Sequence, residues 1–202
     1  MKRKNLIRLF AVMVILASAS GCAMMQEPTK SPLRWSGQDT AVFDEEFEFI
    51  PPPPAWKLVQ VESGGEFGFG FLKVDPGAFP SQSMFVYDED PFGCSTTYEN
   101  REKEFFRRFL WGAMINFKVV EKKKFKLQNG EGSAVTVEGQ DPYRKEKAKA
   151  QVIFGKRGDR VVSWYITQWR PLDGTYDPTA FETFEKFAAS FKYLKKSFYE
   201  TL

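Results

Sequence analysis

The sequence predicts an α+β domain, a mainly antiparallel β-sheet covered by amphipathic helices. Three observations carry this. Aromatic and β-branched residues alternate with polar or small ones over short stretches, as at Phe67, Phe69 and Phe71, which is the period of a half-buried strand. Short turn sequences join those stretches, so neighbouring strands run antiparallel. Two further segments carry apolar residues at helical spacing and need an apolar surface to cover.

The chain opens with Lys2, Arg3, Lys4 and Arg8, followed by an unbroken apolar run from Leu9 to Ala17. That run is about half of the ~20 residues needed to span a bilayer, so it reads as a signal peptide rather than an anchor helix. Small residues, Ala19-Ser20-Gly21, lead into Cys22. This arrangement resembles the lipobox of bacterial lipoproteins, with Ala19 where leucine is favoured. The resemblance implies cleavage between Gly21 and Cys22 and acylation of Cys22 with palmitate-type chains. Ala23, rather than Asp, follows the cysteine, which in such lipoproteins implies sorting to the outer membrane, facing the periplasm. Residues 1–21 are therefore read as the leader, 22–40 as a lipidated N-terminus and flexible tether, and 41–202 as a single globular domain.

The tether is polar and broken by Pro28 and Pro32, and fully extended its ~18 residues would reach roughly 60 Å. Trp35 within it reads as a hydrophobic latch onto the domain or the lipid interface, or else as a partner contact. Phe43, Phe47 and Phe49 have strand periodicity and suggest one edge strand over 43–50. Pro51 to Pro54 follow as a stiff polyproline lead-in, with peptide recognition as the sharper alternative. Ala55–Val61 and the Phe67–Val74 stretch read as strands flanking Gly64-Gly65, and Met84–Tyr87 as a further short strand.

Thr96 and Glu99 have capping-box spacing, and Phe105, Phe106, Phe109, Leu110 and Ala113 form one stripe, predicting a helix over 98–113. Glu99/Lys103 and Glu104/Arg108 are favourable i,i+4 pairs on its solvated side. Strands follow at Phe117–Val120, Phe125–Gln128 and Ser133–Glu138, the last two joined by a turn at Asn129-Gly130. Ala148, Ala150, Val152 and Phe154 alternate with Lys147, Lys149 and Gln151, and a turn over Gly155–Asp159 leads into Arg160–Trp169. Asp177 as N-cap and Pro178 at the first position open a helix carrying Phe181, Phe184, Ala188 and Phe191.

Composition excludes several functions. The formal charge of +3 belongs to the leader: removing residues 1–21 takes away four of the 29 basic residues and none of the 26 acidic ones, leaving −1. No whole-domain basicity argues for nucleic acid. The chain has no histidine, which removes the usual general base, imidazole metal ligand and every Ser-His or Cys-His pair. With Cys22 lipidated, Cys94 has no intrachain disulfide partner, so a core that draws on 21 phenylalanines must stabilise the exported domain.

Pro54-Ala55-Trp56 opening a long strand, the helix 98–113, and the closing strand Val161–Trp169 followed by Tyr176-Asp177-Pro178 and a helix ending Ala189-Ser190-Phe191-Lys192 are together similar to the PsbP/Mog-type fold. The resemblance covers residues 43–195 and implies an α/β/α sandwich acting as a non-catalytic binding or assembly module. The metal sites of some PsbP-like proteins use histidine, so none is carried over and no metal ligand is assigned.

Three clusters hold candidate chemistry. Cys94 precedes the first helix, where a helix N-terminus favours a thiolate, but no second mature thiol or histidine stands ready beside it. Asp88-Glu89-Asp90 offers hard oxygen ligands without EF-hand spacing, so a solvated acidic loop is favoured over a cation site. Lys122-Lys123-Lys124, with Lys118 and Lys126, is the densest basic patch. Strand alternation would divide it between faces, and lysines guarding an exposed sheet edge are expected, although anionic lipid is an alternative partner. Trp164, Tyr165 and Trp169 read as core aromatics. The function expected is a lipid-anchored, non-catalytic protein-binding or assembly module of the cell envelope, with no catalytic residue and no cofactor beyond the lipid on Cys22. The alternatives are a carrier or sensor of an apolar ligand held between sheet and helix, and an enzyme using the Cys94 thiol.

Overall fold

The computed structural model describes residues 33–63, 66–73, 82–87, 95–107, 115–141, 145–197 and 199–201. A four-stranded antiparallel sheet contains β1 (Leu33–Trp35), β2 (Ala41–Phe43), β3 (Phe47–Phe49) and β11 (Lys192–Tyr193). A seven-stranded antiparallel sheet has the order β4-β5-β6-β10-β9-β8-β7, formed by β4 (Lys57–Ser63), β5 (Glu66–Lys73), β6 (Gln82–Tyr87), β7 (Ile115–Leu127), β8 (Gly130–Asp141), β9 (Glu146–Arg157) and β10 (Arg160–Pro171). Helix α1 (Tyr98–Phe105) packs on β9 and β10, and α2 (Pro178–Ser190) packs on β10, β7 and β3. The expected α+β class, an antiparallel sheet with helices covering it, is what the chain adopts.

Alternation along the central strands builds two cores. Toward α1 point Val135, Val137, Ala148, Ala150, Val152 and Phe154, which pack with Phe105. Toward α2 and the small sheet point Ile153, Val162, Trp164 and Ile166, which join Phe184, Phe187 and Phe191. The second core is largely aromatic: Phe43 stacks on Phe69 at 4.1 Å, and Phe187 stands edge-on to Phe49 at 5.0 Å and to Phe71 at 5.7 Å. Such ring pairs add to the area they bury. Tyr165 faces α1 and Trp164 faces α2, as neighbours on a strand must.

Several elements differ from expectation for local reasons. Residues 43–50 are not one strand. Asp44 and Glu45 take φ of 49° and 58°, and Glu46 N–H bonds the Phe43 carbonyl at 3.0 Å, folding the stretch into the β2–β3 hairpin. Positive φ at both central positions matches the strand twist, and the Arg34–Glu45 ion pair at 2.5 Å supports a turn that lacks Gly or Asn. The folded body also begins earlier than residue 41, because β1 pairs with β2 in the register Leu33↔Phe43. Trp35 remains 67% exposed on that strand, so it is not latched onto the domain.

The predicted strands 117–120 and 125–128 are one strand, β7. The lysine run contains no turn-forming residue, and irregularities between Ile115 and Lys118 and between Val119 and Glu121 keep it paired to β8. The β7–β8 loop is Gln128-Asn129, since Leu127 pairs with Gly130. In the β9–β10 loop, Gly158 supplies the positive φ, 59°. Thr97 rather than Thr96 caps α1, accepting from Asn100 N–H at 3.3 Å, and the Glu99–Lys103 pair forms at 2.7 Å. Phe109, Leu110 and Ala113, expected to extend its stripe, lie outside the described residues. Among the described residues no helix is long and apolar enough to cross a membrane.

Candidate functional site

Gly21, Cys22, Cys94 and the Asp88-Glu89-Asp90 run lie outside the described residues. The lysine cluster is described, and it occupies β7, an edge of the large sheet. Alternation divides it as expected. Lys122 reaches Glu102 on α1 at 2.5 Å, while Lys123 reaches Glu185 on α2 at 3.0 Å, on the opposite face. Lys124 pairs with Glu131 at 3.1 Å. A carboxylate answers each of Lys122, Lys123 and Lys124, and their place on an exposed sheet edge fits the edge-guarding role.

The more elaborate constellation lies beneath α2, where no motif in the sequence points. A cleft of about 600 Å³ separates the N-terminal half of the helix from β7, β8 and β9. Strand and helix periods build it. Glu121 and Lys123, Thr136 and Glu138, and Lys149 and Gln151 are pairs two residues apart, so each pair points to one face. Phe181 and Glu185 are four apart and share one side of α2. The strand register sets Glu121, Thr136 and Gln151 in one row across three strands, and Lys118, Glu138 and Lys149 in the next.

The side chains in the cleft are held by one another. Glu185 Oε1 accepts from Lys123 Nζ at 3.0 Å and from Gln151 Nε2 at 2.8 Å. The first of these bonds raises the Lys123 pKa, since it favours the charged form. Lys149 Nζ lies 3.2 Å from Glu138 and within 5.8 Å of the ring centres of both Tyr176 and Phe181. A neighbouring recess of about 400 Å³ joins Glu138 and Tyr176 to Lys147, whose ammonium is 5.4 Å from the Tyr176 ring. Burial, and then the charge of Glu138, push the Tyr176 phenol up to about 12.

The helix end that roofs the cleft is fixed from below. Gln168, fully buried on β10, donates to the Asp177 carbonyl at 2.7 Å and accepts from the Asp177 N–H at 2.8 Å. Asp177 then caps α2 through Thr179 N–H at 3.0 Å, and Lys73 lies 3.4 Å away. The Thr179 hydroxyl is the main reason the Asp177 carboxyl titrates low.

Glu121 accepts from the Thr136 hydroxyl, Glu138 pairs with Lys149, and Glu185 engages Lys123 and Gln151, and among the described residues no group of three or more Cys, Asp or Glu is placed to hold a metal ion. The cleft presents charge, hydrogen-bonding groups and aromatic surface. Space beneath the helix further toward its C-terminus is filled by Phe184 and Phe187 against the sheet. The sequence signal for the cleft was the polar half of β9's alternation, Lys149 and Gln151, which reads as solvent-facing until α2 is laid over it.

Among solved structures, the chain is similar to the solution structure of cyanobacterial PsbP (CyanoP) from Synechocystis sp. PCC 6803, at 15% sequence identity. The likeness covers 85% of this chain and 98% of that one, with a TM-score of 0.42. No family model matches the chain, and no curated protein sequence matches it either.

Proposed function

We propose that this protein is a lipid-anchored, non-catalytic binding module of the bacterial cell envelope, which engages a protein partner through the cleft beneath α2. The observation that carries the binding role is the interlocked Gln151–Glu185–Lys123 and Lys149–Glu138 set, polar side chains held in position on a concave surface. Such preset groups recognise a partner with little ordering cost. The anchor half of the proposal rests on the sequence, with acylation of Cys22 after cleavage behind Gly21 and residence at the outer membrane facing the periplasm. Only residues 23–32 lie between Cys22 and β1, so the folded body would stand at most about 40 Å from the lipid.

The carrier alternative is less favoured, because aromatic side chains fill the space beneath the C-terminal half of α2 and the cleft beneath its N-terminal half is lined mainly by charged and polar groups. Two measurements test the proposal. Labelled palmitate should enter the wild type, and label persisting after Cys22→Ala would defeat the anchor. A photo-reactive residue at position 182, on the exposed side of the cleft, should crosslink in cells to one recurring protein, whereas the same residue at position 159, in the β9–β10 loop, should not. Identical products from both positions would defeat the cleft as the binding face.

A further inference from the structure

Among the described residues, Trp35 is the most exposed large hydrophobic side chain, at 67%. Strand alternation does not send it outward. Trp35 pairs with Ala41, and Ala41 with Phe49, so the three side chains form one row on the same side of the small sheet. Ala41 and Phe49 are fully buried on that side, and Leu33, two residues before Trp35, packs against the same core. The core face of the sheet therefore runs out past the edge of the folded body, and the indole stands at its end. Among the described residues no ring, cation or hydrogen bond engages that side chain.

The surroundings continue the apolar surface. Ile50, directly after Phe49, is 42% exposed and lies two strands, or about 10 Å, across from Trp35. The chain then runs through exposed Pro53, Pro54 and Ala55, and no residue between Phe49 and Trp56 carries a charge. Arg34, beside Trp35, is answered by Glu45, and Lys192 by Glu48. Asp39, exposed in the β1–β2 turn, adds a negative charge rather than a positive one. An anionic membrane would call for unpaired lysines here. The rim suits a zwitterionic lipid surface, whose interface takes an indole with its ring toward the acyl chains and its N–H among the head groups.

The chain itself brings such a surface near. Trp35 is thirteen residues after Cys22, so acylation there would keep the indole within at most about 45 Å of the bilayer. In so thin a layer the effective concentration of lipid surface is high, and one side chain suffices where a free protein would need a larger contact.

We propose that the Trp35–Ile50 rim docks on the bilayer that holds the Cys22 acyl chains, with the Trp35 indole inserted in the lipid interface. This rests on the reading of Cys22 as the lipid site. The rim shares no lining residue with the cleft: Ile50 N–H donates to Ser190 at the C-terminal end of α2, whereas the cleft lies beneath the N-terminal half. Docking and partner binding are therefore compatible.

The test is tryptophan fluorescence of the acylated protein in vesicles of phosphatidylethanolamine and phosphatidylcholine, with and without acyl chains brominated near the head group. Mass spectrometry confirms the acylation. Brominated lipid should quench part of the wild-type emission, and that part should be lost in Trp35→Phe. The variant should keep the wild-type melting temperature, because the ring it replaces is mostly in water. Equal quenching in the variant overturns the proposal. A photo-reactive residue at position 35 gives a second readout in cells. It should crosslink to phospholipid, and crosslinking to one recurring protein instead overturns the proposal in favour of a partner contact. A Cys22 without acyl chains would overturn the anchor reading and this inference together, whereas acylated wild type without quenching overturns the inference alone.

Discussion

Replacing Gln168 by leucine tests whether the cleft's roof is held by one buried side chain. Gln168 is fully buried, and both ends of its amide bond the backbone of Asp177, the residue that caps α2. Leucine has nearly the same volume, so the change leaves little cavity and removes chiefly the hydrogen bonds. The Asp177 N–H and carbonyl each then lose a partner, at about 1–3 kcal/mol per buried group. Asp177 is only half-buried, and water can answer part of that loss, which places the total at about 2–4 kcal/mol. In a domain of this size that amounts to a fall of roughly 5–15 °C in melting temperature. Urea unfolding followed by circular dichroism should show a lower midpoint with an unchanged slope. Gln168→Glu should cost more, because it buries a charge and loses the donor to the Asp177 carbonyl. A loss below about 1 kcal/mol for the leucine variant would show that α2 is positioned by its aromatic face alone.

Three other outcomes follow from the same geometry. In alkaline titration followed by tyrosinate absorbance, one phenol should titrate near pH 12 and vanish in Tyr176→Phe; no change in the late step would refute the burial of that phenol. Because the folded value is raised, the stability contributed by Tyr176 is present below about pH 10 and is lost as the pH climbs through the folded value. Asp177 behaves oppositely: its carboxyl is depressed, so its contribution is present above about pH 4 and lost as the pH falls through its folded value. Asp177→Asn keeps a capping oxygen, so it should narrow the acid sensitivity more than it lowers stability at neutral pH, and a variant as acid-sensitive as the wild type would contradict this. In Gly70→Ala the new methyl would collide with the Met84 carbonyl oxygen and crowd the Phe85 ring, both on the paired strand β6, so a loss of about 1–3 kcal/mol is expected by urea unfolding, and a neutral result would refute the close approach.

Much of the fold was legible because it follows local periods. The alternation over β9 and β10 and the Asp177-Pro178 opening of α2 depend on near neighbours, and both stand as expected. The misread places are those where a distant residue decides. The β2–β3 turn uses Asp44 and Glu45 at positive φ with Arg34 of β1 beside it, and no Gly or Asn announces it. The unbroken β7 depends on pairing with β8 along its length, which a run of lysines does not reveal.

By itself, then, the sequence determined the α+β class, the absence of histidine chemistry and the division of β7's lysines between two faces, because composition and side-chain alternation need no partner to be read. It also holds the whole case for Cys22 as the lipid site. The tertiary structure alone decided the cleft. Gln151, Glu121, Thr136 and Glu185 lie on four elements as much as 64 residues apart, and only strand register with α2 laid over it brings them together. Hydrogen bonds across such separations carry no local period, so the Gln151–Glu185 bond can be seen only once the chain has folded around it.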